Sequence, residues 1–122
     1  MPRLMVVDDE ADVREYLKSY FKRRKIEVVT AESGEEALSL LENQPAPDLM
    51  LLDIRMGGID GIETLRRMRE AGRQLRVIMV TGVEDQKILQ RLAEFNVLAC
   101  VHKPLMLDEL EKEVLQRIVM DV

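Results

Sequence analysis

One cysteine, one histidine and no long apolar run remove several routes to function from this 122-residue chain. A lone Cys100 closes no internal disulfide and builds no cysteine-based zinc site. No apolar stretch approaches the roughly 20 residues that cross a bilayer. The opening MPRLMVV lacks the charged region and long apolar core of a signal peptide, so a cytoplasmic location off the membrane is expected. Positive charge is in deficit, with 18 Lys and Arg against 23 Asp and Glu, and the formal charge of −5 argues against bulk attraction to nucleic acid. Repeats, linkers and low-complexity segments are missing too, which leaves one domain.

What is present is the balance of a globular protein, 47% apolar and 34% charged. Apolar runs LMVV (4–7), VV (28–29), LMLL (49–52), VIMV (77–80) and VLACV (97–101) are nearly continuous, as in parallel strands covered on both faces. Helical spacing lies between and after them. The stripes are Val13, Leu17, Tyr20 and Phe21; Ala37, Leu38 and Leu41; Ile62, Leu65 and Met68; Ile88, Leu92 and Phe95; and Leu107, Leu110, Val114 and Ile118. Ser33 with Glu36, and Asp60 with Glu63, have capping-box spacing and mark two helix starts. Gly72 and Asn96 stand where left-handed helix stops are wanted, whereas Lys25 sits awkwardly at the end of the first helix. Five strand–helix units in one short chain predict an α/β fold with a parallel sheet and right-handed crossovers.

Ligands of such sheets bind beyond the carboxyl ends of the strands. The residues there are Asp8 and Asp9, Asp53, Thr81 and Lys103. Three clustered carboxylates repel one another and make no sense as packing. Around a divalent cation they do, and an all-oxygen set favours Mg²⁺ over zinc. With Mg²⁺ and Lys103 the charges balance. Asp53 can then serve as a phosphoryl acceptor, with Lys103 neutralising oxygen charge and the Thr81 hydroxyl bonding a phosphoryl oxygen.

Taken together, VDDE at 7–10, LLDIRM at 51–56 with DG at 60–61, TG at 81–82 and KP at 103–104 resemble the receiver domain of two-component response regulators, over essentially the whole chain. The resemblance implies a flavodoxin-like, doubly wound (βα)5 fold with strand order 2-1-3-4-5, and a single receiver domain over residues 1–122. It implies that Asp53 takes a phosphoryl group from a sensor histidine kinase or histidine phosphotransfer protein. Such a domain is no conventional enzyme, but it assists its own phosphorylation and dephosphorylation. Asp9 and Asp53 would be direct Mg²⁺ ligands with the backbone carbonyl of Arg55, Asp8 would act largely through water, and Lys103 would precede a cis peptide to Pro104.

Three features depart from or vary within that pattern. Gly57 and Gly58 follow Met56 where proline is usual, so a more mobile loop is expected. Arg55 and Val83 occupy the variable positions that commonly tune phosphoryl lifetime. Cys100 stands in place of the aromatic residue that swings inward on activation. The expectation is therefore that the Gly82–Asp85 loop and the fourth helix, roughly 84–95, carry the signal. The output surface would be that helix with the fifth strand and fifth helix. A downstream protein, a fused output domain or a second copy of the chain would dock there, with no direct nucleic-acid contact. No DNA-binding or catalytic output segment is patterned in the 122 residues, which fits a stand-alone regulator or part of a longer chain.

Taken singly, these motifs have ordinary structural readings. Asp8, Asp9 and Glu10 are good helix-start acids. Asp53 is a good cap, and Thr81-Gly82 and Lys103-Pro104 are ordinary turn dipeptides. Convergence at one sheet edge decides between the readings. His102 is expected at a strand edge or the surface, the methionines in core gaps or loops, Cys100 as a small buried residue, and KRRK at 22–25 as a solvated helix cap. Two other function classes compete. A binding module that is never phosphorylated would not need all five site residues. A Mg²⁺-dependent aspartyl-phosphate phosphatase would carry an acid where Arg55 stands, and a substrate cap.

Overall fold

The computed structural model describes residues 1–82 and 86–118. The elements are β1 (Arg3–Val7), α1 (Ala11–Lys22), β2 (Glu27–Ala31), α2 (Gly34–Asn43), β3 (Leu49–Asp53), α3 (Gly61–Glu70), β4 (Val77–Thr81), α4 (Gln86–Ala93), β5 (Ala99–His102) and α5 (Leu107–Ile118). All neighbouring strands are parallel, in the order β2-β1-β3-β4-β5. This is the flavodoxin-like order that the resemblance implies. The chain winds outward from β1 to β2, then crosses back to β3 and continues through β4 to β5. Strand order thus reverses beside β1, where such folds leave a crevice.

Alternation along each strand divides the interior into two cores. Leu4, Val6, Leu49, Leu51, Ile78, Val80 and Val101 pack against Leu17 and Phe21 of α1 and against Leu110, Val114 and Ile118 of α5. Met5, Val7, Met50, Leu52, Val77 and Met79 face the other way, onto Ala37 and Leu41 of α2, Ile62, Leu65 and Met68 of α3, and Leu92 of α4. Burial on both faces explains why the strands read as continuous apolar runs. Each large aliphatic side chain so buried contributes roughly 1.5–3 kcal/mol. Four of the eight methionines, Met5, Met50, Met68 and Met79, lie in the second core, whereas Met1 and Met106 are exposed.

The outer strands differ most from the sequence expectation. β2 runs over five residues although only Val28 and Val29 were apolar enough to mark it. It is an edge strand, held by backbone pairing with β1 from Arg3 opposite Glu27 to Val7 opposite Ala31. β5 starts at Ala99 rather than Val97, because Asn96 turns the chain through φ 56°. Leu98, in the approach to the strand, is exposed but donates its N–H to the Val77 carbonyl at 2.8 Å.

The predicted caps form. Ser33 Oγ accepts from the Glu36 N–H at 3.0 Å, and Asp60 Oδ1 accepts from the Glu63 N–H at 2.8 Å. The Glu63 carboxylate pairs with Arg66 and Arg67. Gly72 has φ +80°, and Lys25 is itself left-handed at φ 63°, a conformation that L residues other than glycine enter at a cost. The KRRK run is not simply a solvated cap. Arg24 stacks over the Tyr20 ring at 3.7 Å and bonds Glu111 of α5, which also accepts from the Tyr20 hydroxyl. A stacked, bonded guanidinium ties α1 to α5 better than water would.

Candidate functional site

Backbone register brings the candidate side chains together. Val7 lies opposite Leu52, so Asp8 and Asp53 each stand one residue past the same rung. Asp53 lies opposite Val80, and Thr81 opposite His102, so Thr81 and then Lys103 follow one step on. Backbone bonds hold these ends: Asp8 N–H to Ala31 O at 3.1 Å, Ile54 N–H to Val80 O at 3.0 Å, and Lys103 N–H to Thr81 O at 2.8 Å. Asp8 and Asp53 are 3% and 4% exposed, and Thr81 is fully buried.

One ammonium serves three carboxylates. Lys103 Nζ lies 3.1 Å from Asp53 Oδ2, 3.4 Å from Asp8 Oδ2 and 3.5 Å from Glu10 Oε1. Asp9 and Glu10 are exposed at the rim, and one oxygen each from Asp8, Asp9 and Glu10 falls within 4.8 Å of the others. Burial pushes the Asp53 carboxyl up to about 6, and the Asp8 charge adds to this; Lys103 and the Arg55 N–H oppose it. Partial burial disfavours the Lys103 ammonium, but its bonds to Asp53 and Asp8 outweigh that and raise its pKa. Four carboxylates against one lysine leave an excess of negative charge. All of the clustered donor atoms are hard oxygens, a set that suits Mg²⁺ and not zinc.

The glycines near Asp53 have distinct tasks. A Cβ on Gly61 would stand 2.2 Å from the Asp53 carbonyl oxygen, so α3 can start this close to the Asp53 backbone only without a side chain. Gly58 has φ +75°, whereas Gly57 faces open space. The left-handed turn therefore falls one residue later than the replaced proline.

Lys103 thus contacts both Asp8 and Asp53, with Thr81 buried at the next strand end. Arg55 contributes its backbone N–H to the Asp53 carboxylate and exposes its side chain. The Lys103–Pro104 peptide is cis. His102 is exposed on edge strand β5, and Cys100 is half-buried against the core under α4, where burial raises its thiol pKa. Val83 and the rest of the expected signalling loop, residues 83–85, lie outside the described residues.

Two residues escaped the sequence reading. Glu10 was a helix-start acid there, yet it reaches Lys103. Arg14 donates to the Asp8 carbonyl at 2.7 Å and lies 4.0 Å from Glu32. Its signal was available, because a cation near a helix amino terminus opposes the dipole and needs an acceptor there.

Comparison with known proteins agrees with this fold. The model of the response regulator receiver domain matches residues 4–115. Sporulation initiation phosphotransferase F of Bacillus subtilis is 32% identical over 112 residues, covering 92% of this chain and 90% of the relative. The transcriptional regulatory protein AfsQ1 of Streptomyces coelicolor is 41% identical over 85 residues, 70% of this chain but 37% of that protein. Among solved structures, a response regulator receiver protein from Pseudomonas putida superposes with a TM-score of 0.90 at 34% identity, covering 94% of this chain and 96% of that one. The response regulator TrrA of Thermotoga maritima, solved in complex with Mg(2+)-BeF, superposes with a TM-score of 0.81 at 34% identity, covering 95% and 98%. The chain belongs to the response regulator receiver domain family of two-component systems. None of its described helices is long and apolar enough to cross a membrane.

Proposed function

We propose that residues 1–122 act as one cytoplasmic receiver domain that takes a phosphoryl group on Asp53 from a phosphohistidine, in a Mg²⁺-dependent reaction, and signals through its α4–β5–α5 face. The donor would be a sensor histidine kinase or a histidine phosphotransfer protein. The single observation that carries this reading is the Lys103 ammonium set between buried Asp53 and Asp8 at a common sheet edge.

Asp8, Asp9 and Asp53 would hold Mg²⁺ together with the Arg55 carbonyl. When bound, the cation supplies positive charge against the acid cluster and the phosphoryl oxygens. An Asp53 carboxylate oxygen attacks phosphorus. The new P–O bond forms as the P–N bond to the donor imidazole breaks, and that bond's electron pair returns to the ring nitrogen. Lys103 exchanges carboxylate contacts for a phosphoryl oxygen, and the Thr81 hydroxyl donates to another. Lys103 also favours the ionised nucleophile against burial and Asp8. The chain's role is phosphoacceptor rather than turnover enzyme, although the same groups would assist attack and later hydrolysis.

The partner on the output face would be a downstream protein, a fused output domain or a second copy, with no direct nucleic-acid contact. The chain spans nine tenths of one relative and less than half of several others, such as AfsQ1 and the mycobacterial response regulator MprA. Both stand-alone and fused arrangements therefore have relatives to support them. The binding-module and phosphatase readings have no observation in their favour.

Incubation with acetyl phosphate and Mg²⁺ tests the reading. One phosphoryl group per chain is expected by intact mass, lost on chelation and absent from Asp53→Asn. Equal incorporation in that variant would overturn the assignment.

A further inference from the structure

Glu10 occupies the N-cap position of α1 but does not cap it. Its backbone is extended (φ −89°, ψ 113°) and its side chain makes no bond to the free N–H groups of the first turn. Ser, Thr, Asp and Asn are favoured there because a short side chain makes that bond, and giving it up costs helix stability. The Glu10 backbone is nonetheless well anchored. Its N–H donates to Asp8 Oδ1 at 2.9 Å, and its carbonyl accepts from Arg14 N–H at 3.2 Å. From this fixed base the longer side chain reaches over the site, to 3.5 Å from Lys103 Nζ, with 63% of its surface exposed.

Lys103 therefore has an outward partner as well as two buried ones. Asp8 and Asp53 lie on the sheet side of the ammonium, and Glu10 lies at the rim. Resting on the reading of Asp53 as phosphoacceptor, we propose that Glu10 is a positioning residue for Lys103: its carboxylate holds the ammonium at the rim and competes with the phosphoryl group for that charge. Lys103 must give up carboxylate contacts before it can bond a phosphoryl oxygen. The contact with Glu10 is the exposed one, and it can be tuned without rebuilding the buried pair. Glu10 thereby biases the domain toward its unphosphorylated arrangement. A ligand shifts such an equilibrium only by its differential interaction with the two states.

The test is the half-saturating concentration of beryllofluoride, read from amide chemical shifts at Mg²⁺ concentrations shown by titration to saturate each variant. Glu10→Gln removes the charge. Glu10→Asp keeps the charge but withdraws it by one methylene and offers it to the helix N–H groups, so folding is not at risk. Both variants should bind about two- to five-fold more tightly than the native protein, the size of one partly exposed ion pair. In the metal-free protein both should also shift the Lys103 side-chain resonances. Tightening in Glu10→Gln alone would mean through-space repulsion of the anion and would overturn the proposal. No tightening in either variant would overturn it as well. Failure of the native protein to bind beryllofluoride would instead remove the phosphoacceptor reading on which the proposal rests.

Discussion

Gly61 lies so close beneath Asp53 that a Cβ would stand 2.2 Å from the Asp53 carbonyl oxygen and 2.8 Å from the Ile54 α-carbon. Both obstacles are backbone, so neither can swing aside. The Gly61 N–H meanwhile donates to the Ile54 carbonyl at 2.7 Å. The first turn of α3 is thereby locked to the strand that carries Asp53.

Gly61→Ala should accordingly lower stability by about 2–3 kcal/mol, as overpacking against rigid neighbours does. Gly57→Ala, at a position facing open space with no left-handed φ, should be neutral or stabilise by up to about 1 kcal/mol through the unfolded chain. Urea unfolding of both variants checks this. Equal effects would contradict the close approach at Gly61.

Asp53 titrates near 6 in the fold against an ordinary value of 3.8. The folded state holds that proton more firmly than the unfolded one, so the group weakens folding as pH rises through this window. Asp53→Asn should therefore match the native protein below about pH 3 and exceed it by about 2–3 kcal/mol above pH 7, when both are measured in chelator. A native protein as stable as the variant at pH 7.5 would refute the raised value.

Mg²⁺ should offset that strain. At about one hundred times its dissociation constant, a ligand of the folded state alone adds about 2.7 kcal/mol. The unfolding midpoint should rise with Mg²⁺ in the native protein and hardly move in Asp9→Asn, whose side chain is exposed and not needed for packing. An undiminished response in that variant would exclude Asp9 as a ligand.

The Arg24–Glu111 contact supplies a prediction away from the site. Bonds from Arg24 and Tyr20 hold the Glu111 carboxyl below its ordinary value. Its contribution to stability is therefore present above the usual carboxylate range and is lost as pH falls through the lowered value. Glu111→Gln should destabilise at neutral pH and converge on the native protein in acid. Combined with Arg24→Met it should show coupling, because the two share one interaction.

The strands at the centre of the sheet were legible in the chain because β3 and β4 are buried along their whole length and read as unbroken apolar runs. The caps at Ser33 and Asp60 were legible because capping is a matter of three-residue spacing. β2 was half hidden, since an edge strand takes its extent from its partner's backbone and not from its own side chains. The clamp of Arg24 on Tyr20 and Glu111 was invisible, since Glu111 lies 87 residues from Arg24.

By itself, the sequence determined the kind of fold and which residue types gather at the strand ends. Apolar period, caps and turns are local properties, and the acids, threonine and lysine could be placed at strand ends by counting along the chain. Only the tertiary structure decided how the charges are shared. The sequence treats Asp8, Asp9 and Glu10 as neighbours of one type, yet the fold buries the first, exposes the others, and turns the third from its helix toward Lys103. Burial and distance set the strength of a charge's interactions, and both depend on segments that meet only when the sheet is assembled.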